Sequence, residues 1–123
     1  MIIGGRIDRI DEQEDGRIEI IDYKTGDKLP SQKEADNNLQ LTLYALAVNQ
    51  KYFLNLKPEA VTLSFLFLKQ GKKLSTKRTF SELKKAKKDL LAKAREMEES
   101  DFSPAPGFIC KFCEYKLLCP AWQ

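Results

Sequence analysis

Glu14-Asp15-Gly16-Arg17-Ile18-Glu19-Ile20-Ile21-Asp22-Tyr23-Lys24 decides how this chain folds. Its first three residues are a turn signal, with Gly16 free to take a left-handed conformation. Residues 17–24 are rich in isoleucine and read as a strand. Residues 2–11 alternate isoleucine with polar side chains and read as its hairpin partner. Loop length then decides which side chains meet. If the loop is Glu14-Asp15-Gly16, Gln13 pairs with Arg17 and Asp8 falls opposite Asp22. A type I turn with Gly16 in the left-handed position closes such a loop well. A two-residue Asp15-Gly16 turn would put Asp8 opposite Tyr23, on the wrong face of the sheet.

Outward from the hairpin, residues 25–38 read as a polar loop with Gly26, Pro30 and Ser31. Residues 37–52 read as a helix, with Leu39, Leu43 and Leu46 as its apolar stripe. Val61 to Leu68 is an apolar strand compatible with burial on both faces. Gln70-Gly71 turns the chain into a solvated strand over residues 73–80. A second helix runs to about Glu99, with Ser81 as its N-cap. Leu83, Leu90, Ala94 and Met97 form one face of it, while Lys84, Lys85, Lys88 and Lys93 populate the rest as a solvated surface. Pro104 and Pro106 lead into a cysteine segment. The expected fold is α/β (α+β): a mixed β-sheet with flanking helices. Residues 1–103 would form the core and 104–123 a cysteine-rich tail.

The 123 residues are 42% hydrophobic and 32% charged, which suits a globular domain and argues against global disorder. The net charge of +3 does not by itself identify a nucleic-acid binder. No apolar run approaches the roughly 20 residues of a membrane span, and the first residues do not form a signal peptide. A cytoplasmic location is therefore expected. The chain has no histidine, which excludes imidazole acid–base catalysis and imidazole metal ligation within it. Hydrolytic chemistry here would rest on carboxylates, lysine or a partner chain.

Asp22 and Lys24 are two apart on a strand and project from the same face. An aspartate beside a lysine can hold a divalent cation and offset charge on an oxyanion. Tyr23 points its side chain to the other face, but its backbone carbonyl can reach the same metal. Asp8, in the three-residue register, supplies a second carboxylate. Mg²⁺ or a similar hard ion would relieve the repulsion between the two. Alternatively, Arg6-Ile7-Asp8-Arg9 is an exposed strand edge with a salt bridge. Gln40 and Tyr44, at i and i+4, share a helix face, either as a polar edge or as contacts to a phosphate or base. Cys110, Cys113 and Cys119 follow C-x2-C-x5-C spacing. They are either three ligands of an incomplete metal site or three free thiols. Closed zinc or iron–sulfur sites take four ligands.

Together, Gly5-Arg6-Ile7-Asp8, Asp22-Tyr23-Lys24-Thr25-Gly26 and Gln40-Leu41-Thr42-Leu43-Tyr44 resemble the PD-(D/E)XK nuclease superfamily, and within it the RecB-like exonucleases. The cysteine tail is similar to the iron–sulfur motif of AddB-type and CRISPR-associated members. The resemblance implies a restriction-endonuclease-like core lacking its N-terminal helix. It implies a metal-dependent DNA exonuclease that hydrolyses phosphodiester bonds in repair or recombination. Asp8, Asp22 and the Tyr23 carbonyl would bind Mg²⁺ or Mn²⁺, Lys24 would complete the catalytic set, and Gln40 and Tyr44 would help to place DNA. Cys110, Cys113 and Cys119 would be three of the four ligands of a 4Fe–4S cluster. The missing fourth cysteine and missing N-terminal helix imply a C-terminal fragment, incomplete as an isolated chain. Expected partners are DNA, a helicase domain or subunit, and a second copy through uncovered sheet surface. The competing expectation is a non-catalytic DNA-binding or interaction module with a structural metal-binding tail, such as a small zinc site.

Overall fold

The computed structural model describes residues 2–122. Its elements are β1 (Arg9–Glu12), β2 (Ile18–Lys24), α1 (Gln32–Asp36), α2 (Leu39–Val48), β3 (Val61–Phe67), β4 (Lys72–Thr76) and α3 (Phe80–Glu99). The strands form one mixed sheet in the order β1-β2-β3-β4. The outer pairs are antiparallel and the central β2–β3 pair is parallel. A parallel pair needs a crossover, and the segment carrying α1 and α2 supplies it. The mixed sheet with flanking helices is the expected one. The chain forms two compact units, one ending at Leu91 and the other starting at Ala92.

The hairpin turns as the three-residue loop requires. Gln13 N donates to Arg17 O at 2.8 Å, and Gly16 N donates back to Gln13 O at 2.9 Å. Gly16 has φ 76°, a conformation that costs most other residues about 1–2 kcal/mol. The register pairs Arg9 with Ile21 and Glu12 with Ile18. The ladder stops at Arg9, and Asp8, the residue before it, lies just outside the paired positions.

The core lies on one sheet face. Ile18 and Ile20 of β2 and Val61, Leu63, Phe65 and Phe67 of β3 pack with Leu41, Tyr44, Ala45 and Val48 of α2. Ala35 and Leu83 join them. Burying each such aliphatic side chain stabilises by about 1.5–3 kcal/mol. On the opposite face Ser64 is fully buried, and its hydroxyl bonds Glu19 and Ser75. Burial opposes ionisation of Glu19, but the Ser64 hydroxyl and the Lys73 ammonium outweigh it and hold the carboxyl below its ordinary range.

Several expectations need correction. The strand expected over residues 2–11 begins only at Arg9, because the chain before it leaves the ladder. Within that segment the Arg6 carbonyl accepts from Tyr44 instead of from a neighbouring strand. The loop expected over 25–38 contains α1, opened by a capping box in which Ser31 and Glu34 satisfy each other's backbone N–H groups. The helix expected over 37–52 is α2, shorter at both ends and capped by Asn38. Its buried stripe is Leu41, Tyr44, Ala45 and Val48, whereas Leu39 is 57% exposed and Leu43 and Leu46 are half-buried. Only Gln40 and Thr42 are polar in α2, so its apolar pattern does not single out one face. The strand expected over 73–80 ends at Thr76. Thr79, not Ser81, caps α3: Glu82 N donates to Thr79 Oγ1, and Glu82 Oε2 accepts from Thr79 N. Of the four residues expected to form one face of α3, only Leu83 is buried, while Lys84, Lys85, Lys88 and Lys93 are solvated. Among the described residues no helix is long and apolar enough to cross a membrane.

Residues 101–107 have no regular structure, and the tail then makes three short 3-10 turns, Phe108–Phe112, Lys116–Leu118 and Pro120–Trp122.

Candidate metal-dependent active site

Strand alternation places Asp22 and Lys24 on the same row as Ile18 and Ile20, where the core gives way to polar side chains. Asp22 is only 3% exposed. A carboxylate buried this far must be neutralised or hydrogen-bonded. Its Oδ2 lies 2.6 Å from Lys24 Nζ. The contact satisfies an ion-pair distance, yet Oδ2 receives no hydrogen bond of acceptable direction. The pair is thus held by charge, leaving a lone pair of a buried oxygen without a directed donor. Asp22 Oδ1 accepts from Gln40 Nε2 at 2.9 Å and lies 3.1 Å from the Tyr44 hydroxyl.

Gln40 joins the two charges. While its amide nitrogen serves Asp22, its Oε1 accepts from Lys24 Nζ at 2.9 Å. The same nitrogen donates to the Tyr44 hydroxyl, also at 2.9 Å. Tyr44 has one proton for two acceptors, and the Arg6 carbonyl at 2.8 Å is the nearer. Burial, together with the Asp22 and Asp8 carboxylates, pushes the Tyr44 phenol above its ordinary pKa despite the Gln40 bond, so it stays a neutral donor. Lys24 Nζ also stands 5.0 Å from the centre of the Phe65 ring, a cation–π distance.

Asp8 completes the acidic edge. Its Oδ2 accepts from Tyr23 N at 3.0 Å, one peptide beyond Asp22. In the parallel ladder Leu68 N donates to Lys24 O, so alternate residues of β2 turn their peptide groups toward β3. Tyr23, between Asp22 and Lys24, turns its N–H and C=O toward β1 instead, the side on which Asp8 lies. The Tyr23 side chain is on the opposite face, where its hydroxyl neighbours Arg9.

Asp8, Asp22, Lys24, Gln40 and Tyr44 are therefore brought together, with the Tyr23 carbonyl on the β1 side. Gln40 and Tyr44 are turned toward the carboxylate. Tyr44 is 8% exposed and belongs to the core, whereas Gln40 retains an exposed surface. Nothing in the residue order signals that the Arg6 carbonyl anchors Tyr44, since backbone acceptors leave no residue-type signature. The donor set fits a hard divalent cation, with two carboxylates, a carbonyl and one buried oxygen lacking a directed donor.

The cysteines stand otherwise. Cys110, Cys113 and Cys119 are free thiols, and Cys113 is exposed. Among the described residues no group of three or more His, Cys, Asp or Glu is gathered to hold a metal. The nearest hydrogen bond is local, from Gly107 N to Cys110 Sγ at 3.3 Å.

The mixed four-stranded sheet with its helices is a restriction-endonuclease-like α+β fold. A profile of the PD-(D/E)XK nuclease superfamily matches residues 1–120, and the chain belongs to that family. No curated protein gives a significant match.

Proposed function

We propose that the chain is a metal-dependent nuclease domain that hydrolyses phosphodiester bonds of DNA. The observation that carries this reading is the buried Asp22 carboxylate, held between Lys24 and Gln40 with one oxygen lacking a directed donor. Asp8, Asp22 and the Tyr23 carbonyl would hold Mg²⁺ or Mn²⁺, which supplies Lewis acidity toward a phosphoryl oxygen and an acidified water when bound. Lys24 keeps an ammonium at the mouth of the site, where it stabilises charge on a non-bridging phosphate oxygen. Gln40 fixes the direction of both Asp22 and Lys24 and has the exposure to meet a DNA strand. Tyr44 acts from beneath, as a neutral donor that keeps Gln40 and the Arg6 segment in place. The likeness of the motifs to RecB-like exonucleases supports end-directed digestion in DNA repair or recombination alongside a helicase.

One observation favours a second reading, a non-catalytic DNA-binding module: among the described residues no group of three or more His, Cys, Asp or Glu is gathered to hold a metal. Asp22→Asn separates the two. It preserves shape while removing the charge. DNA cleavage by the full-length protein should depend on Mg²⁺ and be stopped by chelation. The variant should lose at least about 100-fold in rate, with an unchanged circular dichroism spectrum. Undiminished cleavage by Asp22→Asn would remove the catalytic assignment. Wild-type DNA binding without Mg²⁺-dependent cleavage would select the module.

A further inference from the structure

Arg78 lies outside the site and is only 4% exposed. No carboxylate forms an ion pair with it among the described residues. Its cost of burial is met by five neutral acceptors. Nε donates to Thr42 Oγ1 at 2.8 Å, and Nη1 donates to Thr76 Oγ1 at 3.0 Å and the Lys77 carbonyl at 2.8 Å. Nη2 donates to the Ala35 carbonyl at 3.0 Å and the Asn38 carbonyl at 3.3 Å. The guanidinium fork thereby ties the end of α1, the cap of α2 and the first turn of α2 to the segment that leaves β4.

The choice of an arginine here is costly, because burial disfavours its charge more than the nearby Asp36 and Glu82 carboxylates support it. What it secures is the α1–α2 junction. Asn38, gripped through its carbonyl, is also the N-cap of α2 and accepts from Leu41 N. Gln40 follows it by two residues. Thr42, gripped through its hydroxyl, projects from the side of α2 away from Gln40 and Tyr44, since residues two apart stand about 200° apart on a helix. Arg78 thus holds α2 from behind while Asp22 and Lys24 meet it from the front. α2 has only ten residues, so the bonds to Thr42 and Asn38 from behind and those of Gln40 and Tyr44 from the front together fix its rotation.

We propose that Arg78 is a positioning residue: by clamping the α1–α2 junction it sets the rotation of α2 that brings the Gln40 amide onto Asp22 and Lys24. Its consequence for metal binding rests on the nuclease reading above. Lysine cannot replace it, because an ammonium has three donors at one point and not a planar fork.

The test compares wild type, Arg78→Lys, Gln40→Ala and the double variant. The Gln40 side-chain amide resonance is followed in metal-free protein, and Mn²⁺ affinity is measured by titration. Arg78→Lys should move the Gln40 amide toward free-glutamine values and weaken Mn²⁺ binding about tenfold. In the Gln40→Ala background the same change should weaken it less than about twofold, since coupled residues are not additive. A lowered Tm with the Gln40 amide and Mn²⁺ affinity unmoved would mean that Arg78 is only structural, and would overturn the proposal. Thr42→Val, which removes a single acceptor, serves if Arg78→Lys does not fold. An unmoved Gln40 amide in that variant overturns it equally. A wild-type chain that binds no Mn²⁺ would defeat the nuclease reading, while the Gln40 amide in metal-free protein would still decide the role of Arg78.

Discussion

Three side chains share the buried carboxylate of Asp22, and they do different things to it. Lys24 neutralises Oδ2 by charge, Gln40 directs Oδ1 by a hydrogen bond, and Tyr44 approaches Oδ1 with a proton it mainly gives to Arg6. The ammonium and a divalent cation want the same oxygen. Lys24→Met removes the counter-charge while keeping most of the packing against Phe65. In metal-free protein it should destabilise by about 2 kcal/mol, because a buried carboxylate loses its counter-charge, a loss reduced by the partial solvent exposure of the lysine. Saturating Mn²⁺ should restore most of that loss, even though DNA cleavage does not return. Thermal denaturation with and without Mn²⁺ measures both effects. A variant as stable as wild type without metal would show that Lys24 does not neutralise Asp22.

At the scale of elements, α1 is the part most dependent on its cap, since five residues are too few to be stable alone. Glu34 receives bonds from the Ser31 backbone and hydroxyl, which hold its carboxyl below the ordinary 4.5. A depressed carboxyl stabilises the fold fully above its unfolded value and loses that contribution as pH falls through the folded value. Ser31→Ala should therefore lower Tm at pH 7, and the gap from wild type should narrow as pH drops below about 4.5. A gap that is constant with pH would separate Glu34 from the cap. The signal for this helix was present as Ser31-x-x-Glu34, yet Pro30 and Gly26 nearby read as loop. The stripe of α2 was not legible for a different reason. With apolar residues on nearly every side, the buried face is set by where the sheet lies and not by the helix's own pattern.

For the whole molecule, stability is concentrated in the unit ending at Leu91, where every core residue lies. Leu63 is fully buried, and Leu63→Ala should cost about 2–5 kcal/mol in chemical denaturation. Leu117 is 90% exposed, and Leu117→Ala should change stability by no more than about 0.5 kcal/mol. Equal losses from the two would contradict this distribution. The chain by itself marked the hairpin, with Glu14-Asp15-Gly16 as its turn, Gly16 free to go left-handed and a period of two that puts Asp22 and Lys24 on one face; the three-residue loop and its register were one of two the sequence allowed. These are local consequences of covalent geometry. Tertiary structure alone decided that Gln40 and Tyr44 turn inward to the carboxylate and that the Arg78 guanidinium reaches the carbonyls and hydroxyl at the start of α2. Each depends on how a helix or turn is placed against distant residues, and spacing along a sequence does not encode that placement.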